Sequence, residues 1–134
     1  MKHIYDGYLF MFNNGYKQEA QICITHSFPN QNFHEYSGED DCTSVERDEI
    51  VNILTASQYT DYDSLIQLCD SLALPTGICL MEKRLVDVAL RHGTNKYMIE
   101  KWKKLFTIFN HFNSKAGGSI YRLFPEVTDN TFGY

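Results

Sequence analysis

Along most of this chain, apolar residues recur at every third or fourth position, the spacing that lines one face of an α-helix, and polar breaks separate six such stretches. The first runs from His3 to Asn13, with Ile4, Tyr8, Met11 and Phe12 in helical register, and Asn13-Asn14-Gly15 stops it. Tyr16, Ala20, Cys23 and Ile24 carry a second helix into Thr25-His26-Ser27. It ends before Pro29, because proline drives the residue ahead of it out of the α region. Residues 27–44 break every periodicity and hold Pro29, Asn30, Asn32, Gly38 and the acidic run Glu39-Asp40-Asp41, so they read as a long polar loop.

Thr43 with Glu46 three residues later is a capping box, and Val45, Ile50, Ile53 and Leu54 give a third helix its inner face as far as about Ala56. Asp61-Tyr62-Asp63 opens the clearest helix, with a stripe of Leu65, Leu68, Cys69 and Leu72 extended by Tyr62, Ile66 and Ala73 and stopped by Pro75 and Gly77. A fifth helix covers about Leu80 to Arg91, with Leu85, Val88, Ala89 and the flanking Val86 inward and His92-Gly93 at its end. Thr94 or Asn95 caps a sixth helix, which carries Met98, Ile99, Trp102, Leu105, Phe106, Phe109 and Phe112 and closes at Gly117-Gly118. A short helical turn at Ser119 to Phe124 ends at Pro125, and residues 126–134 form a polar tail apart from Phe132 and Tyr134. No segment alternates as a strand does. The expected fold class is all-α, an orthogonal helical bundle in a single domain.

Composition narrows the function classes. With 134 residues, 43% of them apolar and 14% aromatic, the chain supports one core. A net charge of −5 leaves no basic stripe for an extended nucleic-acid surface. No apolar run is long enough to span a bilayer, and the first residues lack a signal peptide's layout, so a cytoplasmic protein without membrane contact is expected. Cys23, Cys42, Cys69 and Cys79 lack Cys-x-x-Cys spacing, and they read as small buried hydrophobes better than as a disulfide or zinc framework.

Few polar residues stand where packing alone would not put them. His34 falls in the polar loop, His92 suits a helix C-terminus, and His111 lies in a strongly amphipathic helix. Asp70 differs, because at 100° per residue it lies just past the apolar stripe beside Ile66 and Ala73, where half-burial is expected. A half-buried carboxylate needs a partner. That partner is either Arg84 or Lys83 on the next helix, or a metal ion if other donors converge. His3 and His26, each near the end of a short helix, are the candidates.

The strings Ile24-Thr25-His26-Ser27-Phe28-Pro29 and Asp61-Tyr62-Asp63-Ser64-Leu65-Ile66-Gln67-Leu68-Cys69-Asp70-Ser71-Leu72-Ala73 resemble the downstream half of bacterial HD-domain metal-dependent phosphohydrolases. The segments Leu80 to Arg91 and Ser119 to Leu123 extend that resemblance over nearly the whole chain. It implies an HD-like helical bundle around a divalent metal (Mn, Fe, Ni, Mg or Zn) that hydrolyses a phosphorylated small molecule or nucleotide. Family members place a leading His, an adjacent His-Asp pair and a distant Asp around one ion, and some variants add two intervening histidines for a second ion. By resemblance Asp70 is the distant Asp, and His3 and His26 are the intervening pair. Arg84 or Lys83 faces the substrate phosphate, unless either simply pairs with Asp70 or Glu82.

The sequence contains no adjacent His-Asp, and nothing before His3 corresponds to the leading ligands. The expectation is therefore an N-terminally truncated HD-like domain over residues 1–134, with roughly fifty family residues missing ahead of Met1 and metal binding absent or weak. Such a chain is a defective hydrolase, a helical interaction or oligomerisation module, or one part of a site completed by another chain. A homo-oligomer is expected to cover the face that the missing helices leave.

Overall fold

The computed structural model describes residues 1–133. Helices α1 (Lys2–Asn13) and α2 (Lys17–Thr25) form an antiparallel pair, followed by a 3-10 turn at Phe33–Glu35 and helix α3 (Ser44–Ala56). Helix α4 (Asp61–Leu72) runs into a two-residue strand β1 (Ala73–Leu74), which turns back onto β2 (Gly77–Ile78). Helices α5 (Met81–His92) and α6 (Met98–Ala116), a 3-10 turn at Ile120–Leu123 and helix α7 (Val127–Phe132) complete the chain. The protein is all-α apart from this small antiparallel hairpin. Among the described residues no helix is long and apolar enough to cross a membrane.

Local chemistry sets most boundaries. Thr43 caps α3 in a full capping box with Glu46, and Thr60 caps α4 in the same way with Asp63. Gly117 ends α6 in the left-handed conformation at φ 71°, which glycine adopts without a Cβ penalty.

The apolar residues divide into two clusters. Met1, Ile4, Tyr5, Ile24, Phe28, Cys42, Ile50 and Leu54 pack α1, α2 and α3 together, with Phe33 and Tyr36 of the loop against them. Leu68, Leu72, Met81, Leu85, Leu105, Ile108 and Ile120 join α4, α5 and α6, with Trp102, Phe106 and Phe109 alongside. At roughly 1.5–3 kcal/mol for each large side chain removed from water, these clusters hold the two halves together internally.

Polar contacts tie one half to the other. The buried Asp63 carboxylate accepts the Thr25 hydroxyl at 2.5 Å and the Gln21 amide at 3.2 Å. Gln67, also buried, donates to the Thr25 carbonyl at 2.9 Å. This network corrects the expected face of α4. Its buried residues are Asp63, Gln67, Leu68, Ser71 and Leu72, whereas Tyr62, Leu65, Ile66 and Cys69 face outward. Hydrogen-bonded polar groups can be buried in place of apolar ones, and here they turn the helix, although the Gln67 Oε1 meets no donor among the described residues.

Three smaller expectations also change. The tail forms α7, whose Thr131 hydroxyl accepts the Leu80 N–H at 2.9 Å and whose Asn130 donates to the Ile78 carbonyl at 3.2 Å. The 27–44 loop is tied down from within: buried Glu35 accepts the Asn30 N–H and side-chain amide, both at 2.8 Å, and Gln31 donates to the Leu54 and Ser57 carbonyls. All four cysteines are free, but the buried two are Cys42 and Cys79 rather than those on helical faces.

Candidate functional site

A cavity of about 230 Å3 opens along the seam between the two clusters. His3 comes from α1, His26 and Ser27 from the end of α2, Tyr36, Ser37 and Gly38 from the loop, and Gln67, Asp70 and Ser71 from α4. Helix α5 supplies Arg84, Val88, Arg91 and His92, and α6 supplies Met98, Lys101, Trp102 and Leu105. The fold therefore brings His3, His26, Asp70 and Arg84 to one wall-lined space. Lys83 does not line it and instead donates to the Thr131 carbonyl at 2.5 Å.

The histidines are held in particular states. A carbonyl can only accept, so the 3.1 Å contact between His26 Nδ1 and the Ile22 carbonyl puts the proton on Nδ1. Nε2 then faces the Ser27 hydroxyl at 3.2 Å. His3 is exposed as a whole residue, but crowding around its ring disfavours the charged form. With the positive N-terminus and His26 nearby, its pKa falls below the usual 6.5.

Asp70 is exposed rather than half-buried, and among the described residues no Lys or Arg pairs with its carboxylate. Arg84 instead sends Nε to the Asp70 backbone carbonyl at 3.4 Å and Nη1 to the Asp87 carboxylate at 3.2 Å. Arg91 shares that same Asp87 oxygen at 2.9 Å, so one carboxylate serves two guanidinium groups. Lys101 is half-buried, and burial lowers its pKa while the charges of Glu35 and Asp70 oppose the shift. Three cations, Arg84, Arg91 and Lys101, line the cavity with one carboxylate, Asp70, while Asp87, which does not line it, pairs with both arginines and the charge of Glu35 acts on Lys101. The guanidinium and ammonium donors among the lining residues suit an anion.

Metal coordination is a stricter demand. Donors must converge within about 2–2.6 Å of one point. Among the described residues no three His, Cys, Asp or Glu side chains are grouped closely enough to hold a metal ion. His3, His26 and Asp70 share the cavity, but as placed they do not fit a metal centre, and the Ser27 hydroxyl already occupies His26 Nε2.

A second depression, about 870 Å3 and open, lies between α2 and the start of α4, lined by Gln18, Glu19, Gln21, Gln58, Asp61 and Tyr62 among others. It is the larger of the two, yet no basic residue lines it. The concentration of titratable groups marks the seam cavity as the site.

Comparison of the chain with family models, curated proteins and solved structures returns no match.

Sequence reasoning set His92 aside as suiting a helix C-terminus and passed over Arg91 and Lys101. A signal existed for both of the latter. Lys101 lies three residues after Met98 and four before Leu105, inside the inward stripe of α6, and Arg84, Val88 and Arg91 follow one another at helical spacing on α5.

Proposed function

We propose that this chain is an HD-superfamily-like phosphohydrolase scaffold, cytoplasmic, whose seam cavity binds a phosphorylated small molecule or nucleotide, with hydrolysis by the chain itself weak or absent. The supporting observation is that His3, His26, Asp70 and Arg84, which the resemblance assigns to the metal and phosphate sites, line one cavity together with Arg91 and Lys101. In this reading the planar fork of Arg84 faces phosphate oxygens. Trp102, Val88 and Met98 form an apolar wall for the organic part of the ligand.

Binding and turnover are separable here. Phosphoester hydrolysis requires lowering the barrier by well over ~8 kcal/mol, most of it from a metal-activated water and charge neutralisation at phosphorus. The cationic side chains supply the neutralisation. The sequence holds no adjacent His-Asp, and among the described residues the donors are not grouped for a metal, so the reading assigns this chain binding ahead of turnover. The test is a panel of nucleotides, dinucleoside polyphosphates and a generic phosphodiester with manganese or iron. Turnover at background with measurable ligand binding supports the reading. Robust turnover abolished by Asp70→Ala would overturn it in favour of a hydrolase whose missing ligands come from another chain.

A second reading, a helical oligomerisation module, is favoured by the outward face of α4, where Tyr62, Leu65 and Ile66 are exposed, and by Phe10 on α1. Large apolar side chains exposed together on one helix are what a covering copy would bury.

A further inference from the structure

Lys101 is set apart from the other cations of the cavity. Its Nζ donates to the Glu35 carbonyl at 3.2 Å and to the Ser37 Oγ at 3.2 Å, both neutral acceptors. An ammonium carries three donors, so one N–H is left over. Arg84 and Arg91 share one counter-ion in Asp87, whereas among the described residues no carboxylate comes within 4.0 Å of the Lys101 Nζ. The buried Glu35 carboxylate, whose charge acts on Lys101 more than that of Asp70 does, is engaged by both nitrogens of Asn30. Ser37 is similarly incomplete: its oxygen accepts from Lys101, and its own proton meets no acceptor among the described residues. Two donors that already touch each other thus line the cavity with unused protons. A half-buried cation with no carboxylate in direct contact is costly, and an oxyanion lowers that cost.

We propose that Lys101 and Ser37 form the seat for the ligand's oxyanion, with Lys101 supplying its charge and Ser37 a hydroxyl hydrogen bond. This rests on the phosphate-binding reading above and adds two residues which that reading does not need. The charged and titratable groups around the seat are Glu35 and Tyr36 of the loop, Asp70 of α4, His3 of α1, His26 of α2, and Arg84, Arg91 and His92 of α5. Lys101 is also a latch, because its two contacts hold the loop against α6. A test must separate the latch from the seat.

The measurement is calorimetric titration of the whole chain with sulfate, whose charge is constant across the range, and with inorganic phosphate. Lys101→Met should weaken binding roughly tenfold or more and Ser37→Ala severalfold, as loss of charged and neutral hydrogen bonds dictates. Lys101→Arg should retain most of the affinity. Wild-type affinity for sulfate should fall as pH rises through a lysine pKa below 10.5, and Lys101→Arg should abolish that fall, an effect that a latch alone would not produce. If Lys101→Met fails to fold, the pH profiles of wild type and Lys101→Arg decide. Equal binding by all folded variants with unchanged profiles overturns the seat and leaves the phosphate reading intact. A wild type that binds neither sulfate nor phosphate overturns both.

Discussion

Replacing Asp63 with alanine should destabilise the protein more than any surface change, because this one carboxylate does two jobs. It closes the capping box of α4 by accepting the Thr60 N–H at 2.8 Å, and it accepts the Thr25 hydroxyl at 2.5 Å across the seam. Losing the bond that Asp63 returns to the Thr60 N–H costs about 1 kcal/mol, although Thr60 still caps the helix. Leaving the buried Thr25 hydroxyl without an acceptor adds about 1–3 kcal/mol. The expected loss is therefore about 2–4 kcal/mol, a large share of the roughly 5–15 kcal/mol that holds a domain of this size folded. The pH dependence follows from the same contacts. Burial works to raise the Asp63 pKa, but hydrogen bonds from Thr25, Thr60 and Gln21 outweigh it and hold the carboxyl below its usual 3.8. A depressed folded pKa means that this stability is present above about 3.8 and is lost as pH falls through the folded value. Urea unfolding followed by circular dichroism, at neutral pH and down the acid limb, reads both effects. An Asp63→Ala loss below about 1 kcal/mol, or an acid limb identical to wild type, would refute the claim that this network fastens α4 to α2.

Divalent metal should raise the melting temperature only slightly, since a filled, pre-formed site at a hundred times its dissociation constant would add about 2.7 kcal/mol and the donors here are not grouped for one. Melts with manganese, iron, nickel and zinc against chelator would expose the error through a rise of many degrees, which His26→Ala and Asp70→Asn should then remove. Sulfate affinity should increase as pH falls through the lowered pKa of His3, because the anion favours the charged imidazole; titration calorimetry between about pH 5 and 8 reads it. His3→Gln should flatten that slope. In solution the chain should form a homodimer or larger assembly through its exposed apolar residues, Tyr62, Leu65 and Ile66 among them; light scattering at micromolar concentration giving a monomer mass would count against it.

The helices were legible in the sequence because their signals are local. Thr43 with Glu46, Asn13-Asn14-Gly15 and Gly117-Gly118 mark ends by chemistry that acts within a turn, and the structure ends its helices at or next to them. What periodicity misjudged was which face of α4 turns inward. Asp63 and Gln67 are buried because Thr25, about forty residues away, offers a hydroxyl and a carbonyl to them, and no window along the chain contains both sides of that bargain. Asp70 was expected half-buried for the same reason: the apolar stripe from which its angle was measured is rotated in the fold. The cavity itself depends on the meeting of two clusters, so His3 and His26 on one side and Arg91 and Lys101 on the other could be paired only in three dimensions. Lys101 within an apolar stripe was nonetheless visible as a polar residue at an inward position.

The central claim, that the seam cavity is an anion site, is tested most directly by following backbone amide resonances of the labelled chain during titration with inorganic phosphate. The account predicts saturable shifts concentrated at His26 and Ser27, at Ser37 and Gly38, at Asp70 and Ser71, and at Arg84, Val88, Arg91, Met98 and Lys101, all of them bordering the cavity. Shifts centred instead on Gln18 to Gln21 and Gln58 to Asp63, around the other depression, or no saturable shift at millimolar phosphate, would contradict it.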